Sequence, residues 1–205
     1  MALLDHYLPV FKQILQMTGN PEQYEDYEKS RHDCIVLLEQ ATDNARQQDV
    51  GEEEKEAARV AVIAWLDETI LRSDLSWRQS WQGELLQRKY LNITVAGELF
   101  FTRLNQLDPL HIQAREIFLF CLQQGFQGQY SSPDDKSALK AVISGQRQLC
   151  LPEAWQTWPN DAAIVPIPPA PENNLTRRLA PVLTLFAGIV LQYVFLYFYL
   201  LHYMP

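Results

Sequence analysis

The chain has 205 residues, 17 basic and 25 acidic side chains, and a formal net charge of -8. A protein this acidic lacks the cations that neutralise phosphates, so it is not expected to bind nucleic acid, and anionic lipid headgroups should repel it. Its three cysteines are far apart and its four histidines are scattered, which predicts buried thiols, no metal site and no cofactor. The expected partners are therefore proteins.

Apolar residues at helical spacing predict an all-α domain over residues 1–151. The first helix extends from Leu4 to Gly19, and Asn20 followed by Pro21 predicts the start of the second helix. The third helix has an acidic first turn, and its continuation from Ala57 to Leu71 is apolar on almost every face. A helix of this kind is enclosed by others, so the third helix is predicted to be central.

Four further helices are predicted, which makes about seven in the domain. They cover Trp77–Leu86, Ala96–Leu107, Leu110–Gln124 and Asp135–Leu149. In the last of them the inward positions are predicted to be Ala138, Leu139, Val142 and Ile143. Gly125 and Gly128 predict a turn with backbone angles that other residues avoid.

The C-terminal part of the chain predicts a membrane tether. Residues 179–201 carry no charge and would form a helix about 35 Å long, which is enough to cross a hydrocarbon core. Arg177 and Arg178 precede this stretch, and the tail 202–205 has no Lys or Arg, so the N-terminal side should stay in the cytoplasm. We predict a cytoplasmic domain (1–151), a proline-rich juxtamembrane linker (152–178), a single-pass transmembrane helix (179–201) and a short periplasmic tail (202–205).

One face of the predicted transmembrane helix carries small and polar residues at four-residue spacing. Small residues let two helices approach closely in lipid, and an amide gains a partner across such an interface. This pattern predicts a homodimer, although small residues at this spacing also arise by chance. The face consists of Ala180, Thr184, Gly188 and Gln192.

Several segments resemble the DotU/TssL family of inner-membrane proteins of type VI and type IVb secretion systems. They are Ala64-Trp65-Leu66-Asp67-Glu68, the pair Trp77 and Trp81, Gly97-Glu98-Leu99-Phe100-Phe101, and Phe120 to Tyr130. The resemblance covers nearly the whole chain, and the short compact chain favours type VI over a type IVb DotU-like component.

The resemblance implies a non-enzymatic scaffold in the bacterial inner membrane. The family's cytoplasmic domain is a hook of two small helical bundles. It is attached to a large IcmF/TssM-like inner-membrane protein and docks the baseplate through a TssK-like subunit. The alternatives are an enzyme held at the membrane and an unrelated tail-anchored adaptor.

The candidate site lies at the end of the buried third helix. We expect Asp67, Glu68 and the loop Ser73-Asp74-Leu75-Ser76 to border a cleft between the bundles that a cytoplasmic partner uses. The alternative is an internal salt-bridge network that holds the bundles together, for which Glu68 and Arg72 provide one pair. Trp77, Trp81 and Gly97–Phe101 are interpreted as core packing.

The sequence argues against a catalytic role for the two carboxylates. Adjacent positions on a helix project about 100° apart, so Asp67 and Glu68 form a poor acid/base pair. The chain also has no phosphate-cradling glycine loop and no G-x-S-x-G motif.

The predicted transmembrane face can be tested by replacing its closest-packing and most polar members. The double variant Gly188→Leu with Gln192→Leu should lose self-association in a membrane dimerisation reporter assay, because the helices could no longer approach closely or share a hydrogen bond. Unchanged dimerisation would show that this face is not the interface.

Overall fold

The computed structural model describes residues 2–152 and Gln192, and every regular element in these residues is helical. Short 3-10 turns lie at Pro21–Gln23, Gly128–Tyr130 and Pro133–Asp135. The eight α-helices of the described residues are α1 (Leu3–Gly19), α2 (Tyr27–Arg46), α3 (Glu52–Leu71), α4 (Arg78–Gly83), α5 (Leu86–Leu91), α6 (Ala96–Gln106), α7 (Ile112–Gln123) and α8 (Lys136–Cys150).

The predicted membrane tether falls almost entirely outside the described residues. This applies to Arg177, Arg178, Ala180, Thr184 and Gly188, whereas Gln192 is helical and exposed. Among the helices that the structure describes, none combines the length and the apolar character needed to cross a membrane.

Helix α3 occupies the centre of the described region, as its sequence predicts. It packs against α1, α2, α4, α5, α6 and α7. Its side chains are buried on nearly every face, including Ala58, Val62 and Trp65. Most of the buried apolar side chains from α1 through α7 belong to one continuous cluster.

The start of α2 differs from the sequence prediction. Asn20 and Pro21 begin a 3-10 turn, and the Asn20 side chain makes no capping hydrogen bond there. The helix begins at Tyr27 instead, because Asp26 Oδ1 accepts a hydrogen bond from the Lys29 N–H at 3.0 Å. An aspartate that satisfies one of the first free N–H groups fixes the helix start better than an unbonded asparagine.

The single helix predicted over Trp77–Leu86 is also wrong, because this stretch contributes to two short helices. Helix α4 ends at Gly83, Leu85 is extended, and α5 starts at Leu86. Leu85 has no side-chain group that could cap α5. The cap comes from another helix, since Asp67 Oδ1 accepts from the Leu86 N–H at 3.1 Å and Asp67 Oδ2 from the Gln87 N–H at 2.8 Å.

Asp67 also holds α4. Its Oδ1 accepts a hydrogen bond from Trp81 Nε1 at 2.8 Å, and the residue is only 2 % exposed. Burial raises the pKa of Asp67, and the three N–H donors, together with the charge of Arg31, oppose that rise. One buried carboxyl group of α3 therefore anchors both short helices that follow it.

Two other helices receive caps from distant side chains in the same way. Glu54 Oε1 of α3 accepts from the Ala114 N–H in the first turn of α7 at 3.0 Å. Gln113 Oε1 of α7 accepts from the Leu3 N–H at the start of α1 at 2.8 Å. Each bond satisfies an N–H group that has no partner within its own helix.

The turn after α7 packs closely on the start of α6. Gly125 and Gly128 have φ angles of 90° and 52°, which confirms that this turn uses the left-handed region. A Cβ placed on Gly97 would lie 2.9 Å from the Gly128 Cα, so the two backbones are nearly in contact. Glycine is required at position 97 for this approach rather than for its backbone angles.

Helix α8 lies at the edge of the described region and has no fully buried residue. Leu139, Val142 and Ile143 are partly buried against the core, as predicted, but Ala138 is exposed. The prediction for Ala138 is wrong because α8 packs on one side only, chiefly against α7, and the contact is narrower than the apolar stripe.

The three cysteines are free thiols, and Cys34 and Cys121 are buried as predicted. Cys150 is only partly buried. Burial raises the pKa of Cys34 to about 12 and that of Cys150 to about 11, so both thiols stay protonated at neutral pH.

The anchoring role of Asp67 predicts a large loss of stability on its removal. Asp67→Ala would leave three buried N–H donors unsatisfied, at about 1–3 kcal/mol each, so the free energy of unfolding should fall by at least about 3 kcal/mol. Urea unfolding of a fragment of residues 2–152, followed by circular dichroism, measures this change. Asp74→Ala is the control, because Asp74 is exposed and its loss should cost less than about 0.5 kcal/mol. Equal, small effects of both variants would contradict the anchoring role.

The close approach of Gly97 to Gly128 makes a second stability prediction. Gly97→Ala should destabilise the same fragment by about 1–3 kcal/mol, since the new methyl group would press on backbone atoms that cannot rotate away. Gly145→Ala is the matched control, because Gly145 is also helical and no atom outside its own helix backbone lies within 4 Å of the place that a methyl group would occupy. This control should be neutral or stabilising by about 0.5–1 kcal/mol. A neutral Gly97→Ala variant would show that the two segments can separate freely.

Candidate functional site

An open groove of about 360 Å³ lies where α3, the start of α6 and the turn after α7 meet. We call it the α3–α6 cleft. It contains both carboxylates singled out from the sequence. Its walls are formed by Ala64, Asp67, Glu68, Leu71, Arg72, Gln87, Thr94, Val95, Ala96, Gly97, Glu98, Phe126, Gly128 and Gln129.

Glu68 fixes one wall of the cleft. Its Oε1 accepts from the Gln127 N–H and its Oε2 from the Gly128 N–H, both at 2.8 Å. Two N–H groups of a tight turn thus converge on one carboxylate, which holds the turn against α3. Charge-assisted bonds of this kind are stronger than those between neutral groups.

Arg72 extends the same network at the mouth of the cleft. Its Nη1 donates to Glu68 Oε1 at 3.2 Å and to the Gly125 carbonyl at 3.1 Å. The predicted pair between Glu68 and Arg72 is therefore present, and it also reaches the turn. About half of the Arg72 side chain is exposed, so the ion pair itself adds little stability.

Gln87 positions the opposite wall. Its Nε2 donates to the Thr94 carbonyl at 2.6 Å, and its Oε1 accepts from the Ala96 N–H at 3.1 Å. The Gln87 backbone is itself held by Asp67. The segment between α5 and α6 is thus tied to the buried end of α3, and it presents Val95 with 59 % of its surface exposed.

An aromatic cluster supports the cleft from below. Phe126 of the turn lies 4.2 Å from Phe100 between ring centroids, and Phe100 lies 4.6 Å from Phe118. Phe101 contacts Tyr130 edge to face at 4.7 Å. Rings packed in this way restrict the turn, so the cleft has a firm floor.

The structure separates the loop Ser73-Asp74-Leu75-Ser76 from this cleft. Asp74 and Ser76 are exposed, Leu75 is buried, and none of the four residues lines the groove. Ser73 accepts through its carbonyl from Arg78 Nη1 at 2.9 Å, which fixes the loop to the start of α4. The loop is adjacent to the carboxylates in sequence but faces another part of the surface.

Trp77 and Trp81 are core residues, as predicted from the sequence. Trp77 Nε1 donates to the Tyr24 carbonyl at 2.6 Å, and the two indole rings lie 6.0 Å apart. Arg31 lies over Trp81 at 5.0 Å and pairs with Glu84 at 3.1 Å. These contacts join α2 and the segment before it to α4 and the residues on either side of it, and they do not form part of the cleft.

The chemistry of the cleft suits contact with a polypeptide. Both carboxylates accept hydrogen bonds from N–H groups of the protein itself, so neither is poised to exchange a proton with a bound molecule. Within residues 2–152 no group of three His, Cys, Asp or Glu side chains is close enough to hold a metal ion. The exposed groups at the rim are an aliphatic side chain, an amide and charges of both signs, supplied by Val95, Gln129, Glu98 and Arg72.

Gln87 and Val95 are two of the cleft residues that sequence reasoning missed, and Gly97 and Glu98, which were interpreted as core packing, also line the cleft. Gln87 stands in a polar run of α5, where nothing marks it as buried. Val95 precedes an apolar helix and has the appearance of a core residue. Their roles depend on where Asp67 lies relative to α5. The pattern of residues around Gln87 and Val95 gives no information on that position.

Comparison with solved structures relates the fold to known proteins. The cytoplasmic domain of TssL from Acinetobacter baumannii superposes with a TM-score of 0.65 at 26% identity, covering 73% of this chain and 96% of that one. TssL from Vibrio cholerae gives 0.62 at 25%, covering 72% and 94%. SciP/TssL of the type VI secretion system (T6SS) of enteroaggregative Escherichia coli 042 gives 0.60 at 23%, covering 78% and 95%, which supports the fold alone.

Sequence comparison extends this likeness beyond the described residues. No curated protein matches the chain. The family model described as type VI secretion system protein DotU matches residues 2–204. The chain therefore belongs to the DotU family of type VI secretion system proteins.

Proposed function

We propose that this protein is a non-enzymatic scaffold of a type VI secretion membrane complex, anchored in the bacterial inner membrane by its C-terminal end. The observation that carries the proposal is the family match, which extends from residue 2 to residue 204. It includes the described helices and also the uncharged stretch 179–201. Arg177 and Arg178, immediately before that stretch, support an N-terminal domain on the cytoplasmic side.

The proposed partners follow from the same membership. In the membrane the scaffold binds an IcmF/TssM-like protein, and in the cytoplasm it docks the baseplate through a TssK-like subunit. Self-association through Ala180, Thr184, Gly188 and Gln192 completes the proposed assembly. In this proposal the cytoplasmic domain holds its binding surfaces in fixed positions for these partners.

The α3–α6 cleft is the surface best suited to the cytoplasmic partner. Its walls are held by the hydrogen bonds of Glu68 and Gln87, so the cleft would lose little conformational entropy when a partner binds. The exposed Val95 offers an apolar contact on a rim whose other exposed groups are polar or charged. Interfaces of this composition, with an apolar anchor surrounded by polar groups, are typical of protein recognition.

Two of the carboxylates named from the sequence contribute to this surface indirectly. The carboxylate oxygens of Asp67 accept hydrogen bonds from backbone N–H groups of α5, and those of Glu68 accept from backbone N–H groups of the turn after α7. They therefore shape the cleft, whereas contact with a partner belongs to the exposed rim. This arrangement favours a scaffold over an enzyme, which would need a titrating group free to act on a substrate.

An affinity pull-down of the full-length protein in mild detergent, with identification of the recovered proteins, tests the proposal. We expect an IcmF/TssM-like membrane protein and a TssK-like subunit, whereas recovery of type IVb components would assign the protein to that system instead. Recovery of neither, under conditions that preserve membrane complexes, would contradict the scaffold role.

A single substitution at the rim makes the test specific for the cleft. Val95→Arg places a charge on an exposed side chain, so the fold should persist while the cytoplasmic partner is lost by about tenfold or more. Leu110→Arg is the matched control, because Leu110 is 85 % exposed and does not line the cleft. The IcmF/TssM-like protein should be recovered with both variants. Equal recovery of the TssK-like subunit with both would show that the cleft is not its docking site.

A further inference from the structure

A buried positive charge lies outside the α3–α6 cleft. Arg31 of α2 is only 9 % exposed, and it is not among the residues that line the cleft. Its guanidinium lies 5.0 Å from the ring centroid of Trp81, and its Nε lies 3.1 Å from Glu84 Oε2. Burial removes much of the water that a guanidinium binds, so this charge needs compensating interactions.

The direct polar contacts of Arg31 do not account for its burial. Its Nη1 is buried and has no hydrogen-bond acceptor among the residues that the structure describes. The Glu84 side chain that pairs with Nε is 63 % exposed, and an ion pair with so accessible a partner adds little stability. An apolar side chain of similar length would fill the same space without burying an unsatisfied donor. The charge of Arg31 is therefore expected to act on a group other than Glu84.

That group is Asp67, which is bonded to the same indole ring. Arg31 lies over the face of Trp81, and Asp67 Oδ1 accepts a hydrogen bond from Trp81 Nε1 at 2.8 Å. A carboxylate that accepts from an indole N–H makes the ring more electron-rich, which strengthens its attraction for a cation on its face. Burial raises the pKa of Asp67, and the charge of Arg31, together with the three N–H donors, opposes that rise. Arg31 thus favours the ionised Asp67, the form best suited to accept all three hydrogen bonds.

Asp67 connects this pair of rings and charges to one wall of the cleft. Its oxygens accept hydrogen bonds from the first N–H groups of α5, among them that of Gln87. The Gln87 side chain in turn bonds the Thr94 carbonyl and the Ala96 N–H, and the exposed Val95 lies between these two residues. The position of Val95 therefore depends on a charge that is buried two helices away.

We propose that Arg31 is a positioning residue for the α3–α6 cleft, because its charge, acting across Trp81, stabilises the Asp67 carboxylate that fixes the wall presenting Val95. The inference rests on the proposed function in one respect, namely that the cleft is the binding surface. Arg31 is buried outside the cleft, so it does not itself contact the partner. Its contribution is to order the wall before a partner binds.

Hydrogen–deuterium exchange of the full-length protein in mild detergent, measured by mass spectrometry, tests the proposal. Arg31→Met removes the charge and keeps an unbranched side chain that can still pack on the indole. The amides of Leu86, Gln87 and Ala96 should then exchange about tenfold faster, because the hydrogen bonds that protect them would open more often.

Two further variants separate the effect of the charge from the effect of packing. Arg31→Lys keeps a cation that can lie over the same ring, so exchange of the three amides should stay within about threefold of the unaltered protein. Arg46→Met is the matched control, because it removes another arginine of α2 whose ion pair with Asp43 is exposed, and it should leave the three amides unchanged. In every variant the amides bonded to Glu68 in the turn after α7 should exchange at the unaltered rate.

Any of three results would overturn the proposal. The first is unchanged exchange of the three amides in Arg31→Met. The second is equal acceleration in Arg31→Met and Arg31→Lys, which would assign the effect to packing. The third is equal acceleration of the amides bonded to Glu68, which would show a general loosening of the domain. The measurement needs no partner protein, whereas the pull-down with Val95→Arg does, so a failure of this inference can be distinguished from a failure of the proposed function.

Discussion

The described structure depends on acidic side chains of α3 that accept hydrogen bonds from the backbones of neighbouring segments. Glu54 caps α7, Asp67 caps α5, and Glu68 holds the turn after α7. The first N–H groups of any helix lack partners within that helix, and they are costly when buried. In a domain of short helices packed around one central helix, the carboxylates of that helix therefore fix where its neighbours begin.

This arrangement also explains how an apolar helix tolerates buried acids. A carboxylate transferred from water into a core is unfavourable unless its oxygens find donors. Asp67 has three donors, and two of them are the first N–H groups of a helix, which carry partial positive charge. Burial still raises its pKa, so the donors offset only part of the cost. In return, the bonds to Asp67 fix the positions of α4 and α5. Each of these helices is only six residues long, so local interactions alone could not hold it in place.

Local patterns in the sequence predicted the parts of the fold that local interactions determine. The period of apolar residues identified α1, α6 and α7, the continuous apolar run identified α3 as central, and the spacing of Glu68 and Arg72 identified their ion pair. The start of α2 was missed although a local bond between Asp26 and Lys29 sets it, whereas the missed break between α4 and α5 is set by a contact between residues far apart in sequence. The separation of α4 from α5 depends on a bond between Asp67 and Leu86, and no periodicity in either segment encodes it.

In the candidate site, too, residues that are neighbours in the sequence are not all neighbours in the structure. Asp67 and Glu68 do line a cleft, but the loop that follows them, Ser73 to Ser76, turns toward α4 while the cleft takes its other walls from α6 and the turn after α7. The prediction grouped residues by adjacency along the chain, whereas the cleft also joins residues such as Glu68 and Gly128, which are 60 positions apart. Only the position of the bonded backbone could have revealed Gln87 and Val95.

The two interpretations of Asp67 and Glu68, partner cleft or internal network, are therefore not exclusive. Their oxygens are committed to internal donors, and those donors belong to the segments that form the cleft walls. A substitution at either position would change the walls themselves, so a resulting loss of binding would not identify a contact residue. Val95 can be altered without touching this network, because its exposed side chain contributes none of these hydrogen bonds, whereas Arg72 of the rim takes part in them. In the proposed interface, residues such as Asp67 and Gln87 build the cleft, whereas the exposed Val95 takes no part in holding its walls, so a substitution of Val95 reports on recognition.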